Sequence, residues 1–116
     1  MLRHGDIFDS SGGEMVVYAV TRHPIARHRE ARCAYLKNPD SVQVSVAESG
    51  MASVVVVRRD LMAAAQAVLA MGWAAERMGD AARKGRTRAI HRRYAQRLYR
   101  RALRLKKLGD QKEVRA

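Results

Sequence analysis

Apolar positions follow two regimes along this chain. In the first sixty residues they come in short runs broken by turn-forming residues, and from Leu61 onward they recur at helical spacing. Residues 15–20 are apolar and rich in β-branched side chains, and they follow the breaker Ser10-Ser11-Gly12-Gly13, which predicts a buried strand. Pro24 suits the first turn of a helix. No glycine or proline then interrupts residues 25–37 before Asn38-Pro39-Asp40, so a helix is expected there, although its apolar face is poorly defined. Val42, Val44 and Val46 alternate with Gln43, Ser45 and Ala47, the period of a strand with one buried face. After Glu48-Ser49-Gly50, the four valines at 54–57 predict a second strand over 53–58, buried on both faces or covered by a partner, and paired with the first as an antiparallel hairpin.

Residues 61–75 carry only Gln66 as a polar side chain. Fifteen helical residues rise about 22 Å, short of a hydrocarbon core of roughly 30 Å, so this is a helix buried on nearly every side rather than a membrane span. Its alanines and Gly72 permit close helix approach, within the domain or in a homo-oligomer interface through 61–75. Asp60 is placed to cap it and Gly79 to end it. Gly85 marks a break, and Thr87 can cap a last helix running to Leu108, with Gly109 following. The expected architecture is a small single α+β domain over residues 1–116, in the order β-α-β-β-α-α, with a β-hairpin and a C-terminal helical hairpin. One long helix over 61–108 is the alternative. Residues 1–14 are expected as a flexible start, 15–58 as the mixed strand and helix part, 60–108 as the helical part and 109–116 as a flexible tail.

Charge sharpens this picture. The 116 residues carry a net charge of +12. Residues 1–60 hold eight basic and seven acidic side chains, and residues 61–116 hold fifteen and four, so +11 of the excess lies in the second half. Between Arg83 and Lys107 there are twelve Lys and Arg residues and no Asp or Glu. At 100° per residue, Ile90, Tyr94, Leu98, Ala102, Leu105 and Leu108 share one face, with Arg101 alone among them. Arg86, Arg93, Arg97, Arg100, Arg104 and Lys107 form a stripe on an adjacent arc. A merely solvated face mixes signs at i,i+4, and this one does not. Guanidinium groups stay ionised and fork onto phosphate oxygens, which makes the stripe a candidate nucleic-acid surface. Tyr99, at its edge, is the one candidate for stacking on a base, since Tyr94 is assigned to the core. Arg22, Arg27, Arg29 and Arg32 form a second basic group, expected as an accessory phosphate clamp near a helix start.

Other chemistries find little support. His23, His28 and Cys33 are spaced by five residues, which scatters them around a helix, and no zinc motif occurs. There is no P-loop, dinucleotide fingerprint or nucleophile elbow, so neither a catalytic residue, a metal nor a cofactor is assigned. A single cysteine favours a reducing, cytoplasmic setting. With only one Phe, one Trp and four Tyr, an aromatic platform for single strands is not expected. The reading is a basic, non-enzymatic, accessory or regulatory protein binding duplex DNA or structured RNA, without stable membrane insertion. The alternative is an adaptor or inhibitor docking the same helix on an acidic surface of a nucleic-acid-processing protein complex.

Overall fold

The computed structural model describes the backbone of residues 1–115 and the side chains of residues 1–111. The expected α+β class and the C-terminal helical hairpin are both present. The strands are β1 (Asp6–Ser10), β2 (Gly13–Arg22), β3 (Arg29–Tyr35), β4 (Gln43–Ala47) and β5 (Val56–Arg59), and the helices are α1 (Glu48–Met51), α2 (Leu61–Ala81) and α3 (Gly85–Arg115). The five strands make one antiparallel sheet in the order β4-β3-β2-β1-β5.

Both faces of this sheet are covered, which is why residues 15–19 read as an unbroken apolar run. Val16 and Tyr18 of β2, with Ile7 and Ala34, face the helices and pack on Leu61, Ala64, Val68 and Met71 of α2 and on Leu98 and Leu105 of α3. Met15 and Val17 point the other way, joining Phe8, Ala31 and Cys33 in a second core closed by Leu2 and Met51. Burial pushes the Cys33 thiol up to about 12 and leaves it a packing residue.

The structure differs from expectation at five places. Residues 25–37 are not a helix: they hold a loop and then β3, which pairs with β2 from Met15↔Tyr35 to Arg22↔Arg29. Alanine at 31 and 34 carries no alternation signal, so the period of two stayed hidden, and the ladder offered by β2 outweighs local helix propensity. The expected hairpin between residues 42–47 and 53–58 does not form. β4 pairs with β3 and β5 with β1, at opposite edges of the sheet. Between them α1 buries Met51, and Val54 packs beside it, so the chain is drawn across the second face instead of turning back. The valines after it are not doubly buried: Val55 is 80% exposed just before β5, and β5 is an edge strand with Val57 54% exposed. Finally, residues 1–14 supply β1, whose Ile7 and Phe8 sit one in each core, and residues 109–115 continue α3.

Asp60 caps α2 as expected, its side chain accepting from the Ala63 N–H at 3.0 Å. The helix passes Gly79 and ends where Ala82 turns extended (φ −72°, ψ 132°), which excludes one helix over 61–108. No helix among the described residues is long and apolar enough to cross a membrane. Gly72 and Gly79 are buried in α2 for the sake of α3. A Cβ on Gly72 would stand 2.6 Å from the Tyr99 ring, and one on Gly79 would stand 3.2 Å from the His91 Cβ. Tyr99 is held there by a hydrogen bond from its hydroxyl to the Glu76 carboxylate.

Two glycine substitutions should therefore move stability in opposite directions. Gly72→Ala displaces the Tyr99 ring and should lower stability by about 1–2 kcal/mol, overpacking outweighing the gain in helix propensity. Gly85→Ala meets nothing within 4 Å and should raise stability by about 0.4–1 kcal/mol through the unfolded chain. Urea titration of both variants checks the pair, and the Gly72→Ala defect should shrink when Tyr99 is also truncated. Cys33 should resist iodoacetamide in the native protein and react at the rate of global unfolding.

Candidate nucleic-acid interface

The rotation of α3 about its own axis decides which side chains meet solvent. Its buried positions are Ala95, Leu98, Ala102, Leu105 and Gly109, a strict 3-4-3-4 spacing of the kind that lines a helix–helix seam. The expected apolar face holds only in part. Leu98, Ala102 and Leu105 are buried, but Ile90 is 57%, Tyr94 39% and Leu108 46% exposed. The physical reason lies in α2, whose alanines and glycines form a groove that accepts α3 closely, so Ala95, Ala102 and Gly109 alternate with Leu98 and Leu105 along the seam while Ile90, Tyr94 and Leu108 fall on the flank.

Arg86, Arg93, Arg97, Arg100, Arg104 and Lys107 are all exposed. Each lies two residues beyond a seam position or a heptad from one that does, which places the stripe roughly 200° around the helix from the seam. It is the outward face, not a flank. None of the six is ion-paired among the described residues; the α2 acids Asp80 and Glu76 engage other α3 side chains, Asp80 with Arg92 at 3.5 Å and Glu76 with Tyr99. From Arg86 to Lys107 the stripe runs about 31 Å.

Arg101, the one arginine within the apolar face, is half-buried, as an arginine with an apolar stem and a charged head can be. It lies near Tyr18, Tyr94 and Arg32, and burial, followed by repulsion from Arg104, lowers its pKa. The tyrosines exchange the roles expected of them. Tyr99 is pressed onto Gly72 and tied to Glu76, with its hydroxyl pushed up to about 12, mainly by burial and then by that hydrogen bond. Tyr94 is the more exposed ring and flanks a concavity of about 370 Å³ that also includes Ile90 and Arg97.

The expected accessory clamp is divided by the sheet. The helix start beside it is that of the single-turn α1, whose Glu48 carboxylate already accepts from the Arg29 N–H at 3.0 Å. Arg22 and Arg29 are opposed partners at the end of the β2–β3 ladder and so share one face. Arg32 lies on the helix side with Arg101, and Arg27 sits in the connecting loop at φ 60°. That loop is fixed: His23 Nδ1 accepts from the N–H groups of Ile25 (3.2 Å) and Ala26 (3.0 Å), His23 N–H donates to the His28 carbonyl at 2.8 Å, and the two imidazoles stack at 5.1 Å. Cys33 lies apart from them in the second core, and no group of three or more metal-binding side chains occurs among the described residues.

Sequence reasoning missed the companions of Arg22 and Arg29. Arg3 and His4 from the N-terminal segment and Arg59 from β5 line the same concavity. These positions are far apart in the chain, and only the sheet register brings them together. Arg59 Nε donates to the His4 carbonyl at 2.9 Å. The His4 imidazole is held below its usual pKa by burial, then by the charges of Arg101 and Arg59.

A depressed histidine pKa makes stability rise with pH, because the unfolded chain binds the extra proton. The contribution of His4 is fully present above its unfolded value of 6.5 and is lost as pH falls through the lower native value. Thermal unfolding between pH 7.5 and 5 should show this loss, and His4→Gln should flatten that part of the profile. An unchanged profile in the variant would show that another group carries the dependence.

Compared with protein-family models, curated proteins and solved structures, the chain finds no match in any of the three, so its functional reading rests on its own residues.

Proposed function

We infer that this protein binds duplex DNA or structured RNA through the outer face of α3, as an accessory or regulatory factor rather than an enzyme. The observation that supports this best is the unpaired stripe from Arg86 to Lys107, directed away from the seam, on a helix with no acid until Asp110. Six like charges on one face repel one another and weaken the fold, and phosphates along a nucleic-acid backbone relieve that cost while releasing counterions. Guanidiniums also fork onto phosphate oxygens and guanine edges, so the same helix can position and read. A single buried cysteine agrees with a reducing, cytoplasmic location.

One observation favours the second reading, an adaptor docking on an acidic protein. Beside the stripe, α2 and α3 form an apolar groove of about 440 Å³ lined by Met62, Leu69, Tyr99 and Leu103, with Lys106 at its rim. An acidic amphipathic segment fits such a surface better than a duplex does, and self-association through residues 61–75 would use the same groove.

The test is a salt titration of duplex binding. With five or six phosphates neutralised, log K against log salt should fall with a slope of about −5. Exchanging Arg93, Arg97, Arg100 and Arg104 for Glu should weaken binding at least about a hundredfold at roughly 0.1 M salt, with thermal stability held because all four side chains are exposed. Unchanged affinity would end this reading. A protein that leaves purification free of nucleic acid yet retains an acidic partner through the same four arginines would establish the adaptor.

A further inference from the structure

A different group of charges, independent of the α3 stripe, is gathered at one end of the sheet. Arg3, His4, Arg22, Arg29 and Arg59 line a concavity of about 460 Å³, together with Leu2, Val20 and Thr21. That volume falls in the range of small-ligand sites, about 300–1,000 Å³. No carboxylate lines it. Two nearby acids accept from the backbone of residues that line it: Asp6 Oδ2 from the Arg3 N–H at 2.7 Å and Glu48 Oε2 from the Arg29 N–H at 3.0 Å. None of the four arginines is ion-paired among the described residues.

Such a cluster is unfavourable in the empty protein. Arg22 and Arg29 are direct cross-strand partners, and like charges so placed destabilise a sheet. The scaffold nonetheless fixes them. The β2–β3 loop is tied by its His23 and His28 bonds, and the segment carrying Arg3 and His4 is pinned at Gly5, which bonds to the Val17 carbonyl (2.8 Å) and accepts from the Asp60 N–H (2.8 Å). Gly5 sits at φ 87° with the Leu61 backbone nitrogen 3.1 Å from where a Cβ would be, so only glycine allows that approach. Arg59 spends one nitrogen on the His4 carbonyl, and its two terminal nitrogens remain to face a ligand. Cationic side chains gathered on a fixed backbone around one concavity, with no carboxylate in its lining, are the form of an anion site.

We propose that this cleft binds a phosphate group carried by a nucleotide, with the guanidiniums of Arg3, Arg22, Arg29 and Arg59 on the phosphate and the Leu2, Val20 and Thr21 wall against its sugar or base. The phosphate comes either from a free nucleotide or from the end of a nucleic-acid strand. Both share the recognised chemistry, and the cleft is too small for a duplex.

The test uses the full chain at fixed ionic strength, with chloride as the reference anion. Thermal unfolding should shift upward with inorganic phosphate and further with adenosine monophosphate, beyond any chloride effect. The Arg22→Ala/Arg29→Ala variant should be as stable as the parent or more so in chloride, since repulsion is removed, and should bind adenosine monophosphate at least about tenfold more weakly. Comparing a 5′-phosphorylated trinucleotide with its unphosphorylated form and with adenosine monophosphate identifies the source: preference for the phosphorylated trinucleotide assigns a strand end, and equal affinity with the mononucleotide assigns a free nucleotide. A phosphate shift no larger than that of chloride, or one equally large in the variant, overturns the proposal. The variant with Arg93, Arg97, Arg100 and Arg104 changed to Glu should keep the full phosphate shift while losing duplex binding, so the cleft and the α3 readings fail separately.

Discussion

Close approach of α2 and α3 is the constraint on which the rest of the molecule depends. Gly72 and Gly79 give up their side-chain volume so that Tyr99 and His91 can lie directly on the α2 backbone. Ala95, Ala102 and Gly109 do the same from α3. A seam this shallow fixes the azimuth of α3 closely, because any rotation drives a leucine or arginine into a space sized for a methyl group. That azimuth directs the arginine stripe outward and brings Arg101 beside Tyr18, near the sheet. The surface chemistry of α3 is thus set by residues that never touch solvent.

Two basic surfaces arise here by different routes, and the difference governs what could be read in advance. The α3 stripe is local: its spacing, its lack of acids and its helical periodicity are visible in one stretch of chain, and all six of its members are exposed. The cleft is non-local, assembled from positions 3, 4, 22, 29 and 59 by strand pairing, and of the expected clamp around residues 22–32, Arg32 belongs to the other face and Arg27 to the connecting loop. Much of the fold was legible for the same reason. Residues 15–20, the alternating valines of β4, the Asp60 cap and the helical pair each carry a signal within their own window.

The failures share a cause. In β3, alanine at positions 31 and 34 gave no contrast with its neighbours, and the strand exists because β2 is there to pair with it. The valines before Arg58 invited a hairpin with β4, whereas Met51 found its burial beneath the sheet and carried the chain to the opposite edge. Within α3, Leu98 and Leu105 reach the core as assigned, but Ile90, Tyr94 and Leu108 do not, because the close approach of α2 turns the helix so that alanine and glycine share the seam with those two leucines. In each case the deciding partner lay in a distant part of the sequence.

The edge strand β5 gives the high positive charge a colloidal role. Val55, Val56 and Val57 are exposed along a free edge that can template pairing with another copy. Arg58 and Arg59 follow at once, and a net charge of +12 keeps copies apart over distances of a Debye length. A polyanion that neutralises this charge also removes the barrier between edges. Salt that screens the charge acts in the same way, so the valine edges are held apart at low ionic strength and released at high.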